Sequence, residues 1–219
     1  MSARKTTFRA LTFMACALVL ISTAGLAGDR SLDLPSSKWG ISIGNSRTFT
    51  GLRLNYRDCG VDHVNGVNIT LWQPCKTNQE ARISGLSLGM LPGGGRLSGI
   101  QLGLLGIAAD HKLSGLSLAL LGAGGGEDVK GITFGGLGVG AGGRLAGVQI
   151  GGLGVGAGDG LYGITLAGLG GGSGGDVTGF SFAGLGFGAG GDLHGITVAG
   201  FGAGAGDDVA GIQAAGFGV

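Results

Sequence analysis

Apolar and polar residues follow one another along most of this chain in a unit that repeats every sixteen residues. Each unit opens with a glycine and continues with an apolar, a small polar and a second apolar residue, as in the segment GITF at 131–134. A further copy starts at Gly85, fourteen residues before the next one, and looser copies start at Gly51 and Gly66. The chain is therefore built from one short unit copied many times, as in repeat proteins. The regularly spaced opening glycines are Gly99, Gly115, Gly131, Gly147, Gly163, Gly179, Gly195 and Gly211.

Numbering each unit from its opening glycine defines columns of equivalent residues. Columns two and four are apolar, column seven holds Leu or Phe, and column fifteen holds Leu or Val. Column three, between the first two, holds only Ser, Thr or Gln in the regular copies. Alternation with a period of two predicts a strand with one buried face. We therefore expect the apolar columns inside the fold and column three in solvent.

A second, shorter strand is predicted through Leu137, Val139 and Ala141 and their equivalents, followed by a turn rich in Gly and Asp. One unit cannot bury its own few apolar side chains, but stacked units bury continuous columns. The sequence thus predicts an all-β fold, a parallel β-solenoid of about nine 16-residue coils with an irregular N-terminal cap. The opening glycines are its structural residues, because tight corners need positive φ angles.

The alternative fold is a transmembrane β-barrel with one strand per unit. Three features favour the solenoid. All turns look alike, the apolar pattern shifts by one residue at positions five and six, and the aromatic girdles of a barrel are missing.

The composition excludes several other classes. Glycine makes up 55 of the 219 residues, 12% are charged and three are proline. Collagen needs more proline and glycine at every third residue, a disordered chain has more charge, and this much glycine opposes helices. Without residues 1–27 the chain has 11 Lys and Arg against 13 Asp and Glu, so that no nucleic-acid partner is expected.

The beginning of the chain has the features of a secretory signal. Arg4, Lys5 and Arg9 precede an apolar run over residues 10–21, and small residues cluster before Ala27. We predict a signal peptide over 1–27, an N-terminal cap with degenerate coils over 28–80 and the glycine-rich solenoid over 81–219. The protein is then exported, to the periplasm, the outer-membrane surface or the extracellular medium.

Two cysteines remain after this leader, Cys59 and Cys75, an even number in an exported chain. Cys59 follows Gly51 by eight residues and Cys75 follows Gly66 by nine, so the two fall at nearly equivalent places in successive coils. Stacked coils bring such positions within the distance that a disulfide requires. We therefore predict a disulfide between them.

The segment GIQLGLLGIA at 99–108 resembles the glycine-rich surface-repeat proteins of bacteria. The segments at 51–58 and 68–72 are similar to sequences that precede such repeats. This resemblance covers most of the mature chain and implies a location at the envelope or cell surface. It transfers no catalytic residue, because the function of the family is largely undefined, and this chain has more glycine and less asparagine than the family.

Two patterns suggest chemistry. The G-x-S-x-G pattern at Ser87 matches a nucleophile elbow, but other copies hold Gln or Thr at the same place. We therefore predict no catalytic residue and no cofactor. A weak calcium site is the second candidate, along Asp176, Asp192 and Asp208, whose carboxylates would stack about 5 Å apart and repel each other. A solvated turn is the alternative there.

Together these observations predict an exported, non-enzymatic structural or adhesive protein of the bacterial envelope. The alternative, tied to the barrel, is an outer-membrane channel or transporter. The last unit stops at Val219 in mid-coil, and an uncovered coil exposes strand edges. We therefore expect self-association or an envelope partner at the C-terminal coil, with the membrane surface as a further candidate partner.

Overall fold

The computed structural model describes residues 31–218, and the predicted signal peptide lies outside the described residues. Their first two strands, β1 (Ser31–Pro35) and β2 (Trp39–Gly44), pair antiparallel. All later strand pairings are parallel and join one coil to the next. The chain therefore forms the predicted parallel β-solenoid. Within residues 31–218, no helix is long and apolar enough to cross a membrane.

Each coil contributes one long strand, and from residue 93 onwards also a short one. In two places the short and long parts run together, in β6 (Gly93–Gly103) and β7 (Gly106–Ala119). The other long strands are β3 (Thr48–Asn55), β4 (His63–Thr70), β5 (Arg82–Gly89), β9 (Asp128–Gly135), β11 (Arg144–Gly151), β13 (Gly160–Ala167), β15 (Asp176–Ala183), β17 (Leu193–Ala199) and β19 (Val209–Ala215). The other short strands are β8 (Gly122–Gly125), β10 (Gly138–Ala141), β12 (Gly154–Ala157), β14 (Gly170–Ser173), β16 (Gly186–Ala189) and β18 (Gly202–Ala205).

The opening glycines lie directly above one another. The strand register pairs each with its equivalent in the next coil, in a column that extends from Gly40 to Gly211. All members of this column have φ angles between 104° and 132°. Because Gly40, Gly51 and Gly66 belong to it, the region predicted as a cap already contains coils of the same construction, with uneven loops between them.

Glycine is needed in this column for two reasons. A Cβ atom on Gly147 would lie 2.3 Å from the carbonyl oxygen of Gly131 in the preceding coil, and L residues with side chains rarely adopt the φ of +114° found there. Gly140, in column ten, differs. A Cβ atom on Gly140 would have the carbonyl oxygen of Gly156, 3.9 Å away, as its nearest neighbour.

We expect Gly147→Ala to lower the free energy of unfolding by roughly 2–3 kcal/mol, because the strained φ alone costs about 1–3 kcal/mol. Gly140→Ala, in the same unit, is the matched control. It should leave stability unchanged or raise it by up to ~1 kcal/mol, since alanine restricts the unfolded chain. Urea unfolding followed by far-UV circular dichroism measures both. Equal effects of the two substitutions would contradict the role given to the glycine column.

The core of the solenoid is narrow and is built around column fifteen. This column lies two residues before each opening glycine, and from Phe49 to Leu193 each of its members is at most 2% exposed, whereas Val209 in the last coil is 46% exposed. The core also contains small residues of column five, such as Ala167 and Ala183, and residues of column nine, such as Val155. The prediction that column fifteen lies inside is confirmed.

A disulfide joins Cys59 and Cys75, whose Cα atoms are 4.9 Å apart. Cys59 lies in the loop after β3, and Cys75 lies in the loop after β4, directly before a short 3-10 turn at Lys76–Asn78. The bond therefore ties two successive coils together, as their stacking predicted. Closing a loop of sixteen residues stabilises a fold by about 3 kcal/mol in the chain-entropy model.

Candidate functional site

The outer surface of the solenoid carries an extended apolar face, formed by columns two and four of the long strands. Its side chains are exposed or half-buried in every coil, and Ile132, for example, is 50% exposed. Both columns were predicted inside, and this prediction is wrong. The residues of the apolar face are Leu86, Leu88, Ile100, Leu102, Leu116, Leu118, Ile132, Phe134, Val148, Ile150, Ile164, Leu166, Phe180, Phe182, Ile196, Val198, Ile212 and Ala214.

Column seven adds a row of leucines at the turn that follows each long strand. Leu137 and Leu153 are each 49% exposed, and the N–H of Leu153 donates to the carbonyl of Leu137 at 2.7 Å. At the C-terminal end, the rings of Phe201 and Phe217 stack with centroids 5.1 Å apart. Column seven was also predicted inside, as the start of the second strand. That strand begins one residue later, at Gly138, and leaves the leucine outside.

Column three occupies the interior. Its Ser, Thr and Gln side chains, from Ser87 to Thr197, are at most 3% exposed, so the prediction that they face solvent is wrong. The hydroxyl of Ser117 donates to Oε1 of Gln101 at 3.1 Å. For the hydroxyl of Thr133 and the amide of Gln149, residues 31–218 offer no hydrogen-bond partner. The solenoid therefore has a polar row inside and apolar rows outside.

The parity of the positions explains this arrangement. Positions fourteen to five of successive units form one continuous strand, in which side chains alternate between two faces. With Leu145 of column fifteen in the core, Gln149 of column three must also point inward, and Val148 and Ile150 must point outward. The apolar columns fifteen and two are three residues apart. This odd spacing is the sequence signal that could have revealed the apolar face.

The first coils contain a buried ion pair that the sequence analysis did not single out. Arg53, in column three, is fully buried and donates through Nη1 to Oδ1 of Asp58 at 2.5 Å and to Oδ1 of Asn68 at 2.9 Å. Its Nη2 donates to Oδ1 of Asn45 at 2.9 Å. Asp58 also accepts from Nδ2 of Asn68 at 3.0 Å and from the hydroxyl of Thr70 at 2.7 Å. Both buried charges are therefore compensated within the coil stack.

The three aspartates considered as a calcium site lie in one column, and two of them bond to the backbone of the next coil. Oδ1 of Asp176 accepts the N–H of Asp192 at 3.0 Å, and Oδ1 of Asp192 accepts the N–H of Asp208 at 3.1 Å. In the described part of the chain, no group of three His, Cys, Asp or Glu side chains is close enough to hold a metal ion. Two of these carboxylates thus fasten one turn to the next, and the calcium site stays a prediction.

Asp128 occupies the same column between two lysines. Its Oδ2 lies 3.5 Å from Nζ of Lys112 and 3.9 Å from Nζ of Lys130. Partial burial by itself raises the pKa of this carboxyl, but the N–H of Arg144 and the two ammonium charges outweigh it, and the pKa lies below its ordinary value. Its contribution to stability is therefore present at neutral pH and is lost as the pH falls through the lowered pKa.

Ser87, the serine of the G-x-S-x-G pattern, lies in the buried column three. Within residues 31–218 no group is in hydrogen-bond range of its hydroxyl, so that the neighbouring base of a nucleophile elbow is not supplied there. A substrate would also have to open the coil to reach it.

Comparison with protein-family models, with curated proteins and with solved structures gave no match. The resemblance to bacterial surface-repeat proteins therefore stays a prediction.

Proposed function

We propose that this chain is an exported, non-enzymatic structural or adhesive protein that works by binding through its apolar face. The observation that carries this proposal is the face itself, where two neighbouring apolar columns are open to solvent along a regular solenoid. With about 4.8 Å between coils and about 3.3 Å per residue along the chain, the apolar face and the neighbouring leucine row of column seven together cover roughly 700 Å² on nine coils. The largest apolar patch on a monomeric soluble protein is typically ~300–600 Å². A face of this size is an association surface.

Two further features support export, and the burial of Ser87 supports a non-enzymatic role. The basic and apolar pattern of residues 1–27 is that of a secretory signal, and the Cys59–Cys75 bond suits an oxidising compartment. The serine that could have suggested hydrolysis, Ser87, is buried.

The test expresses the full chain with its own N-terminal residues in a Gram-negative bacterium. We expect the leader to be cleaved, as measured by mass spectrometry, and the exported chain to migrate in an assembly larger than one chain. A variant with Ile132→Asn and Ile164→Asn should be exported as a single chain. The matched control carries Gly140→Ser and Gly156→Ser, at outward positions with room for a side chain, and should behave as the wild type.

An uncleaved chain that stays in the cytoplasm would overturn the proposed export. An exported wild-type chain that is single and bound to no envelope component would overturn the binding role of the apolar face.

A further inference from the structure

We propose that the apolar face is covered by a second copy of this chain, packed face to face and antiparallel. This inference rests on the function proposed above and names the partner of the same surface. Two independent observations carry it, the dimensions of the face and the order of the charges beside it.

The area of the face suits a dimer. A stable protein interface buries about 800 Å² of accessible surface on each partner. Together with the outward columns fourteen and sixteen of the same strands, the apolar face has a flat area of roughly 850 Å² on nine coils, which reaches this size. Columns two and four contain no charged residue, as expected for the centre of an interface.

A column of charges, three residues before each opening glycine, lies on the same long strands and is separated from the apolar face by column sixteen, whose one Lys or Arg in the regular copies is Lys130. Because columns fifteen and three are buried, columns fourteen, sixteen, two and four all point outward. Column fourteen is basic at its N-terminal end and acidic at its C-terminal end, and after Arg144 the sequence contains no Lys or Arg. From one end to the other, column fourteen reads Arg82, Arg96, Lys112, Asp128, Arg144, Gly160, Asp176, Asp192 and Asp208.

This order of charges selects the antiparallel dimer. In this dimer the two-fold axis lies in the plane of the face and is perpendicular to the solenoid axis. It places column fourteen of both copies on the same side of the interface, and the two columns run in opposite directions. The basic end of each column then faces the acidic end of the other, as in the pair of Lys112 with Asp176. At the middle coil, Arg144 meets its own equivalent, which is a single like-charge contact. A parallel dimer would place column fourteen beside the leucines of column seven and leave its charges without a counterpart.

The same charges disfavour a lipid surface as the occupant. Asp176, Asp192 and Asp208 lie beside the C-terminal half of the face, and anionic headgroups repel carboxylates. A second copy instead supplies the basic residues that these carboxylates attract.

The first experiment measures the molar mass of the purified, exported chain by light scattering and sedimentation. We expect a dimer, and a monomer for the variant with Ile132→Asn and Ile164→Asn, while the Gly140→Ser and Gly156→Ser control stays dimeric. Far-UV circular dichroism checks that each variant is folded. A wild-type monomer, or fibres of indefinite length, would overturn the proposal.

Charge variants test the pairing itself. Asp176→Lys with Asp192→Lys puts two basic residues into the acidic end of column fourteen, and Arg96→Asp with Lys112→Asp puts two acidic residues into its basic end. Each variant alone should dimerise at least about tenfold more weakly than the wild type, because like charges now face each other. An equimolar mixture of the two should restore dimerisation. Unchanged affinity of either variant alone would overturn the role of column fourteen.

Cysteine cross-linking tests the orientation, since Cys59 and Cys75 are already bonded to each other. A mixture of the single variants Arg96→Cys and Asp192→Cys should form a disulfide-linked heterodimer, whereas neither variant alone should cross-link. A dimer that does not cross-link in the mixture would overturn the antiparallel arrangement.

The failures of the two proposals can be told apart with vesicles of phosphatidylcholine. A monomer that binds such vesicles through the apolar face would overturn the second copy as the occupant, while the binding function would stand. A monomer that binds neither vesicles nor any envelope component would overturn both.

Discussion

The substitution Thr133→Lys is expected to unfold the protein, whereas Ile132→Lys, one residue earlier, is expected to leave the coils folded. Thr133 points into the narrow interior and is 1% exposed, while Ile132 lies on the apolar face. An ammonium group buried without a partner costs several kcal/mol, which is comparable with the total stability of about 5–15 kcal/mol of a typical domain. At position 132 the same group points away from the core and stays in water on the single chain.

Far-UV circular dichroism and urea unfolding of both variants check this expectation. Thr133→Val is the conservative control, because it keeps the shape of the side chain and removes a hydroxyl for which the described residues supply no partner. It should keep or raise the free energy of unfolding, by up to ~1 kcal/mol. A chain that accepts lysine at position 133 and unfolds with lysine at position 132 would show that columns two and four lie inside after all.

The second large effect is expected at the buried ion pair of the first coils. Arg53→Met should lower the free energy of unfolding by about 3–5 kcal/mol, because it leaves the carboxylate of Asp58 buried without its cation. Arg57→Met is the control, since Arg57 is exposed and donates through Nε to the carbonyl of Gln73 at 3.1 Å. Its cost should stay below ~1 kcal/mol.

A double variant, Arg53→Met with Asp58→Asn, separates charge from packing. It removes both buried charges, so it should recover part of the stability lost in Arg53→Met alone. Thermal and urea unfolding of the three variants measure this recovery. A double variant that is less stable than the single one would show that the uncompensated charge of Asp58 is not the cause of the loss.

Much of the architecture could be predicted because it depends on spacing. The interval of sixteen residues from Gly99 onwards requires stacked units, and the offsets of Cys59 and Cys75 from their glycines place the two cysteines side by side. The coils at Gly51 and Gly66 were predicted only as degenerate copies, and the coil at Gly40 was not predicted, because the loops between them differ in length while their strands keep the same register.

The candidate site was predicted less well, for a reason that lies in the alternation of strands. The pattern at Ile132, Thr133 and Phe134 indicates that the two faces of the strand differ. The pattern of one strand alone does not determine which face points to the core. The natural assumption puts the apolar side in the core. Only the continuity of this strand with Val129 of column fifteen, three residues before Ile132, decides the matter, because the two cannot share a face.

The sequence by itself thus determined the period, the parallel stacking, the glycine column and the disulfide, because each follows from distances along the chain. The tertiary structure alone decided which side of the long strand faces the core. The space between the long and short strands is filled by column fifteen and by small residues such as Ala167 and Ala183. Inward and outward positions alternate along the strand. With column fifteen in the core, column three must therefore lie inside and the apolar columns two and four must lie outside, where the proposed binding surface is.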